Sequence, residues 1–511
     1  MRGRIGWFFV AGLLAGLGVG PGLVGAQGTP VRGGTLRVGL AAESMTMDLH
    51  SSVALVDRQV AASIFNSLVG LDKTLTIVPE LAESWAWSDR GRTLTLKLRR
   101  GVKFHDGTDF DAHAVKANFE RILDPATNSP RRSDLASVAS VEVPDDFTVR
   151  LLLKAPSASL LSLLTDRTGM ILSPAAIKKF GKDVARNPVG TGPFQFVEWV
   201  KDDHLTLKRF DGYWEKDLPY LDGIVYRPVP DESVKFVNLR TGNLDLTDTV
   251  TPKDIPRLKE SKELVYAEAA GMGFRTIFLN TTKPPFDRRP LREAVSFALD
   301  RAGLHRGIYF GIGLPGIGPI SPTSWARDPG LKPVPFNLAL AKAKLVEGGQ
   351  PAGFKFTMQV YNIPLDIQVA QAMKAQLAQA GIDAELQVLE RGTVLANLRN
   401  KNYGAAMSGF SGRPDPDPEI YNFFHSKGAT NYSGYRSPRV DELLDRARET
   451  GTIEERKKLY WEAERLVVEE APAVFYYQPW DPPIKGMSPK VQGFVHYPDG
   501  IMRLKSVWLQ K

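Results

Sequence analysis

Apolar and polar residues alternate along residues 93–99, and this period of two predicts a strand with one buried face. Val115, Phe119 and Ile122 recur at helical spacing behind Asp111, a residue type that caps helices, which predicts an amphipathic helix. Predicted strands and turns dominate the first half of the chain, whereas helices and strands alternate in the second half. Such alternation is typical of an α/β fold.

The second half carries the clearer pattern, because helical runs with one apolar face are separated by short strand-like runs. Thr452 and Glu455 form a capping box at the start of a long helix. The predicted elements are strands 194–200, 205–209, 224–228, 265–269 and 274–280, then helix 291–299, helix 338–347, strand 354–361, helix 365–380, strand 384–389, helix 393–400, strand 403–410 and strand 474–477.

A length of 511 residues is enough for two or three domains. With 43% hydrophobic and 24% charged residues, the composition is that of a soluble globular protein. The chain has no cysteine, which excludes disulfides, thiolate metal sites, cysteine nucleophiles and a lipid anchor on cysteine.

The first 26 residues have the pattern of a secretory signal peptide. Arg2 and Arg4 precede an uncharged apolar stretch over residues 5–24, and small residues end it at Ala26. We expect cleavage near Ala26 and a periplasmic mature protein without a lipid anchor; the alternative is an uncleaved membrane anchor. No later stretch is long and apolar enough to span a bilayer.

The sequence contains little evidence of a catalytic or a metal-binding site. His105 and His113 are eight residues apart, which is not the spacing of a helical metal site, and the seven histidines do not cluster. Neither a phosphate-binding loop nor a Gly-x-Ser-x-Gly elbow is present. The net charge of +8 is scattered, so nucleic acid is not expected as a partner, although anionic ligands are compatible with it.

Residues 409–418, Gly-Phe-Ser-Gly-Arg-Pro-Asp-Pro-Asp-Pro, follow a predicted strand and have the features of a recognition loop. Three prolines fix the backbone, and small residues allow close approach of another chain. Arg413, Asp415 and Asp417 place one cation and two anions within five residues. The alternative interpretation is a sharp turn whose charges only face water.

Several motifs occur in the order found in one family. Pro-Glu-Leu-Ala-Glu-Ser-Trp and Phe-His-Asp-Gly lie within residues 78–122, and further matching runs lie at 188–194, 222–227, 285–287 and 292–301. In these motifs the chain resembles the family 5 solute-binding proteins of ABC importers, which include dipeptide, oligopeptide and nickel binders. The resemblance covers almost the whole mature chain.

The resemblance implies a two-lobed, type II periplasmic-binding-protein fold, similar to cluster C, with an extra subdomain and a hinge of two crossovers. The proline-rich segments 281–290 and 478–489 are interpreted as the crossovers. The implied boundaries are 1–26 for the signal peptide, 27–75 and 187–282 for the first lobe, 76–186 for the extra subdomain, 283–487 for the second lobe and 488–511 for the return to the first lobe.

In the dipeptide and oligopeptide binders, the strand that matches 408–412 lies beside an extended peptide, and an acidic residue beyond it pairs with the peptide's α-amino group. Arg413 stands at that position here, so a carboxylate is the expected partner, unless a shifted alignment lets Asp415 serve. The helix that matches residues 365–380 also lacks the family's carboxylate-binding arginine. The Ser-Gly-Arg-Pro-Asp-Pro-Asp form is similar to that of the glutathione-type binders.

The same resemblance implies that further residues line the cleft. For several of them, the alternative is a role in packing only. The complete set of predicted ligand-binding residues is Glu43, Ser44, Met45, Met272, Phe274, Gly409, Phe410, Ser411, Arg413, Asp415, Tyr421 and Trp480.

The resemblance implies a monomeric binding protein without catalysis, metal or cofactor. It would capture a short peptide or peptide-like solute that bears a carboxylate, and deliver it to an ABC permease and ATPase at the inner membrane. The alternatives are an oligosaccharide, an opine or a nickel chelate as the solute, a receptor accessory or structural periplasmic protein with the same fold, and an exported hydrolase.

Overall fold

The computed structural model describes residues 28–450, 452–479 and 484–510. The predicted signal peptide therefore lies outside the described residues. Within these ranges, no helix has the length and apolar character needed to cross a membrane.

The strands vary in length from two to eight residues. In chain order they are β1 Thr35–Leu40, β2 Val69–Leu71, β3 Ile77–Pro79, β4 Ala82–Ser88, β5 Thr93–Leu98, β6 Val138–Asp145, β7 Thr148–Leu153, β8 Phe194–Val200, β9 His204–Arg209, β10 Gly223–Pro228, β11 Leu246–Thr247, β12 Val265–Glu268, β13 Phe274–Leu279, β14 Leu314–Pro315, β15 Phe354–Tyr361, β16 Ile382–Leu389, β17 Ala405–Phe410, β18 Ala473–Gln478, β19 Ile484–Met487, β20 Val491–Gln492 and β21 Trp508–Leu509.

The helices are concentrated in the second half of the chain. They are α1 Leu55–Ile64, α2 Ala112–Leu123, α3 Leu160–Leu163, α4 Pro174–Phe180, α5 Glu232–Arg240, α6 Ile255–Glu260, α7 Arg289–Phe297, α8 Arg301–Gly307, α9 Leu338–Glu347, α10 Pro364–Ala378, α11 Arg391–Arg399, α12 Asp417–Phe424, α13 Pro438–Glu449 and α14 Ile453–Glu470.

Three larger sheets organise the part of the chain that the structure describes. The sheet of the first lobe has the strand order β12-β19-β11-β1-β10-β9-β8, and that of the second lobe has the order β14-β18-β13-β17-β15-β16. A third sheet, with the order β4-β5-β7-β6, is antiparallel throughout and lies within the segment expected to form the extra subdomain. Each of the three sheets has its own hydrophobic core.

The helix caps that the sequence indicates are present. The Asp111 carboxylate accepts a hydrogen bond of 2.9 Å from the Ala114 amide at the start of α2. Thr452 caps α14, where its hydroxyl accepts from the Glu455 amide at 3.4 Å. Both caps satisfy amides that the first helical turn would leave unpaired.

The chain passes between the first and second sheets at two places, of which the first differs from the expected crossover 281–290 and the second lies within the expected crossover 478–489. Strand β12 belongs to the first sheet and β13 to the second, so residues 269–273 connect them. The return lies between β18 and β19, at residues 479–483, of which 480–483 are outside the described residues. The prolines of 281–290 instead lie in the turn before α7 and within its first turn, where proline is well tolerated.

The two crossings run between neighbouring strands at both ends. β12 pairs with β19 in the first sheet, and β13 pairs with β18 in the second, both in antiparallel register. The chain therefore leaves one antiparallel pair and joins another at each passage between the lobes.

Candidate functional site

Strand β17 brings the predicted recognition loop to the centre of the second sheet. One edge of β17 pairs with β13 along its whole length, from Ala405 to Phe410. The other edge pairs with β15 only at Ala405 and Ala406. Within the described residues, Ser408 to Phe410 thus have one edge without a strand partner, and this edge is at a cavity.

Two glycines let the first crossing pack closely against this loop. Gly273 has φ +83° and Gly412 has φ +77°, a left-handed conformation that favours glycine. A Cβ atom on Gly273 would overlap the carbonyl oxygen of Phe410, and one on Gly412 would overlap the Cβ of Met272. The crossing and the end of β17 are therefore in direct backbone contact.

Ser321 and Glu419 reinforce the same contact. The Gly273 amide donates to the Ser321 hydroxyl at 2.6 Å, and that hydroxyl donates to the Glu419 carboxylate. Glu419 also accepts from the Arg413 amide at 3.2 Å. Burial raises the pKa of Glu419 to about 7, against the hydrogen bonds it accepts.

A cavity that encloses about 990 Å³ of empty space, part of it open to solvent, lies between the lobes beside β17. The first lobe contributes residues 53–55, and the segment 76–186, which is expected to form the extra subdomain, contributes residues around 130–134 and 162–168. The second lobe contributes the end of β17, the start of α11, and parts of α12 and the segment after it. The cavity is therefore a cleft between the second lobe on one side and the first lobe with the segment 76–186 on the other.

Six charged side chains belong to its lining. Among the described lining residues, the cations are Arg131, Arg167, Arg391 and Arg413, and the anions are Asp134 and Asp166. Guanidinium groups thus outnumber carboxylates in a largely buried space, where electrostatic interactions are stronger than in water.

Asp166 is shared by several guanidinium groups. Its carboxylate lies 2.6 Å from Nε of Arg413, 3.1 Å from Nε of Arg58 and 3.9 Å from Nε of Arg167. Burial alone would raise the pKa of Asp166, but the guanidinium groups of Arg413, Arg58 and Arg167 outweigh it and hold this pKa well below its usual range. The carboxylate is therefore ionised and holds the three cations together.

Arg413 faces the cavity from the end of the loop. Its side chain donates to the Gly412 carbonyl at 2.5 Å and lies 4.9 Å from the centre of the Phe410 ring. Burial and the neighbouring Arg58 lower the pKa of Arg413 to about 10, so it stays charged at neutral pH. Arg58 also donates to the Ser411 hydroxyl at 3.1 Å, which fixes the loop to α1.

Several buried polar atoms at the cavity have no hydrogen-bond partner within the part of the chain that the structure describes. Nε of Arg131, Nε of Arg167 and the side-chain oxygen of Asn422 are among them, although Nε of Arg167 lies 3.9 Å from the Asp166 carboxylate. Unpaired buried polar groups are costly, and a bound ligand is one way to satisfy them. Two donors and one acceptor are therefore available to a solute.

The two carboxylates of the loop point away from this cavity. Asp415 forms a bidentate ion pair with Arg456 on α14, at 2.8 and 2.9 Å. Asp417 forms another with Arg448 on α13, at 2.7 and 2.8 Å. Both pairs fasten the loop to the second lobe, and neither aspartate is among the residues that line the cavity.

Four predicted site residues meet at the cavity, namely Gly409, Phe410, Ser411 and Arg413. Met272 and Phe274 are buried beside it; the Phe274 ring packs against Phe410 and Phe423. The other described candidates lie elsewhere.

Glu43 and Ser44 line a separate small cavity in the first lobe, where Glu43 accepts from the Trp199 ring nitrogen at 2.8 Å. Met45 is exposed. Tyr421 stacks on His425, with ring centres 4.2 Å apart. Trp480 lies outside the described residues.

Sequence reasoning missed the contribution of the segment 76–186, which is expected to form the extra subdomain. Arg131, Asp134, Asp166 and Arg167 all lie in this segment, and Arg391 comes from the start of α11. One signal was available, since Asp166 and Arg167 interrupt an apolar stretch at residues 160–172. Charges inside an apolar stretch are buried with partners or with a ligand.

Comparison with known proteins assigns this arrangement to a family. The family model described as "Bacterial extracellular solute-binding proteins, family 5 Middle" matches residues 76–431. The glutathione-binding protein GsiB of Escherichia coli O1:K1 is 33% identical over 446 residues, which cover 85% of this chain and 87% of that protein.

Solved structures show the same fold. The periplasmic binding protein DppA of Helicobacter pylori, in complex with the peptide STSA, matches with a TM-score of 0.88 and 29% identity over 94% of this chain and 99% of that chain. AgaA of A. tumefaciens R10, in complex with agropinic acid, matches with a TM-score of 0.86 and 28% identity over 94% of this chain and 99% of that chain. The predicted two-lobed α/β fold is thereby confirmed.

Proposed function

This chain belongs to the bacterial extracellular solute-binding proteins of family 5, which serve ABC importers, and we propose that it captures a short peptide or peptide-like solute bearing a carboxylate. The observation that carries the proposal is the surplus of guanidinium groups at the cleft, together with the unpaired donors of Arg131 and Arg167. A carboxylate would supply the missing acceptors and balance the charge.

The open edge of β17 supports a peptide-like solute. Backbone groups of Ser408 to Phe410 face the cavity on the side that β15 does not cover. An extended peptide can pair with such an edge through main-chain hydrogen bonds, which do not depend on side-chain identity. The cleft thus offers main-chain partners beside Arg413, which binds the carboxylate in this proposal.

The relatives agree with this class of solute. The similar protein of E. coli is named for glutathione, and the similar structure from H. pylori holds a peptide. Glutathione is a modified tripeptide with two carboxylates, so it suits a cleft with more guanidinium groups than carboxylates. We therefore include glutathione and short free-acid peptides in one solute class.

An opine is the second candidate. The similar structure AgaA holds agropinic acid, and it is 28% identical to this chain. Opines also carry carboxylates, so the guanidinium groups of the cleft fit them equally well. The open edge of β17 favours the peptide class, because pairing with it requires a peptide backbone.

The remaining parts of the proposal follow from the family. The mature protein would act in the periplasm as a monomer after cleavage near Ala26, and would pass its solute unchanged to a membrane permease and its ATPase. Closure of the two lobes over the cleft would hold the solute during transfer.

Isothermal titration with matched ligands tests the proposal. We expect glutathione or a free-acid di- or tripeptide to bind, and its carboxyl-amidated form to bind at least about tenfold more weakly, because a buried guanidinium loses its charged partner. Native mass spectrometry of the purified protein would identify any solute retained from the cell. Equal affinity for the acid and the amide would contradict the proposal.

The variant Arg413→Gln tests the same contact by changing the protein instead of the ligand. This variant should bind the acid about 10- to 100-fold more weakly, since it removes a charged donor from a desolvated site. Arg446→Gln on α13 removes an exposed charge that does not line the cleft, and should bind like the wild type. If both variants kept the wild-type affinity, the carboxylate would not bind at Arg413.

A further inference from the structure

A second, larger cavity adjoins the cleft. This outer chamber encloses about 2330 Å³ of space open to solvent. Its walls are residues 51 and 127–130 on one side and segments 396–401 and 426–436 of the second lobe on the other. Pro130, Ala429 and Tyr432 line both the outer chamber and the cleft. The chamber and the proposed binding site are therefore separated by no more than these shared wall residues.

Three charged groups of the outer chamber are engaged within the protein. Arg292 donates to the carbonyls of Phe286 and Glu470. Lys401 donates to the Asn431 carbonyl at 2.6 Å. The Glu470 carboxylate accepts from the Tyr435 hydroxyl at 2.7 Å. The other three charged residues of the lining, Asp287, Arg399 and Arg436, are exposed.

Arg399 and Arg436 are the cations among these exposed groups, and Arg399 also hydrogen-bonds to the Tyr432 hydroxyl. Both are exposed, both line the chamber, and neither forms an ion pair with a carboxylate of the described residues. Arg399 ends α11, the helix that also carries Arg391 of the cleft. Two exposed guanidinium groups without a carboxylate partner create a positive potential at the mouth of the site.

Tyr432 marks the boundary between the two spaces. Burial raises the pKa of Tyr432 to about 12, and Arg399 and Arg131 both act in the opposite direction. Arg399 belongs to the outer chamber and Arg131 to the cleft, so positive charge is present on both sides of this hydroxyl. An anion that moves inward would pass from one guanidinium to the next.

We propose that the outer chamber is an anion-binding subsite that captures the carboxylate of an incoming solute at Arg399 and Arg436 before transfer to the cleft. The inference rests on the proposed function, since it assumes an anionic solute. In this proposal, Arg399 and Arg436 raise the rate of capture. The contacts of the cleft determine the stability of the final complex.

The kinetic consequence follows from the openness of the chamber. Exposed charges act on a ligand over roughly 10 Å at 0.1 M salt and are screened at higher salt. They raise association rates, whereas buried contacts determine dissociation. Removal of Arg399 and Arg436 should therefore slow binding without shortening the lifetime of the complex.

Stopped-flow fluorescence with glutathione and free-acid di- and tripeptides tests this inference. The double variant Arg399→Gln/Arg436→Gln is compared with Arg240→Gln/Arg306→Gln, which removes the same charge from exposed arginines of α5 and α8 that line neither cavity. Thermal unfolding of both variants checks that they are folded like the wild type.

At low salt, the chamber variant should associate about 3- to 10-fold more slowly than the control, with the same dissociation rate. The difference should vanish near about 0.5 M salt. Equal association rates for the two variants would overturn the inference and leave the proposed function intact. Faster dissociation of the chamber variant would also overturn it, because these arginines would then belong to the final site. If no member of the panel bound the wild type, the proposed function itself would fail.

Discussion

Removal of the Asp166 carboxylate offers a sharp test of the cleft, because this one group neutralises several cations. In Asp166→Asn, the guanidinium groups of Arg413, Arg58 and Arg167 stay buried at close range without their shared anion. Loss of one partner from a buried ion pair typically costs about 3–5 kcal/mol of unfolding free energy. We expect the ligand-free variant to lose stability in this range.

An anionic solute should restore part of that loss. In the wild type, a solute carboxylate competes with Asp166 for the same guanidinium groups, whereas in Asp166→Asn it meets no such competitor. The shift in melting temperature on addition of glutathione should therefore be larger in the variant than in the wild type, when both are measured at the same ligand concentration.

Asp415→Asn is the matched control for this experiment. It breaks the buried ion pair with Arg456, which lies outside the cleft, so it should lose similar stability and keep the wild-type ligand shift. Chemical unfolding gives the stability of each variant, and thermal unfolding with and without glutathione gives the ligand effect. If Asp166→Asn showed no larger ligand shift than Asp415→Asn, the guanidinium groups around Asp166 would not face the solute.

Two further predictions concern the contact between the first crossing and β17. The pKa of Glu419 is raised to about 7 from its ordinary 4.5, so its contribution to stability is complete below pH 4.5 and is lost as the pH rises to 7. Measured by urea unfolding, the unfolding free energy of the wild type should fall by on the order of 3 kcal/mol relative to that of Glu419→Gln between pH 4.5 and pH 7. Parallel pH profiles of the two proteins would refute this prediction. Gly273→Ala should lower the unfolding free energy by roughly 1–3 kcal/mol more than Gly242→Ala does. Gly242 is the control because it also has a positive φ, but a Cβ atom there would meet open space. Equal unfolding free energies of the two variants would contradict the close packing of Gly273 on Phe410.

Elements with strong local patterns could be predicted from the sequence almost to the residue. Strand 354–361 and helix 338–347 have the predicted bounds, and glycines at 348–349 and 353 lie just outside them. Strands 265–269 and 274–280 were also expected, but their partners were not. A sequence of two strands around Gly271 does not show that the first pairs with β19 and the second with β17 and β18, since these partners lie far along the chain.

The candidate site, too, could be predicted from the sequence only in part. The loop around Arg413 could be found because its glycines, prolines and charges are contiguous. Asp166 lies nearly half the chain away from Arg413, and only the fold brings them to 2.6 Å. Asp415 and Arg413 look equivalent as charged candidates in sequence, yet Arg456 on α14 engages the aspartate and leaves the arginine at the cleft.

The paired crossings restrict the relative motion of the lobes. The β12–β19 ladder lies within the first sheet and the β13–β18 ladder within the second, so each ladder holds the two connecting segments side by side. A movement of one lobe relative to the other leaves both registers intact and needs only torsional changes in the few backbone bonds between the ladders. Because both connections start and end on paired strands, they must bend together. The contacts of Met272 with Gly412 and of Gly273 with Phe410 further place the bend on the first-lobe side of both residues, at residues 269–271.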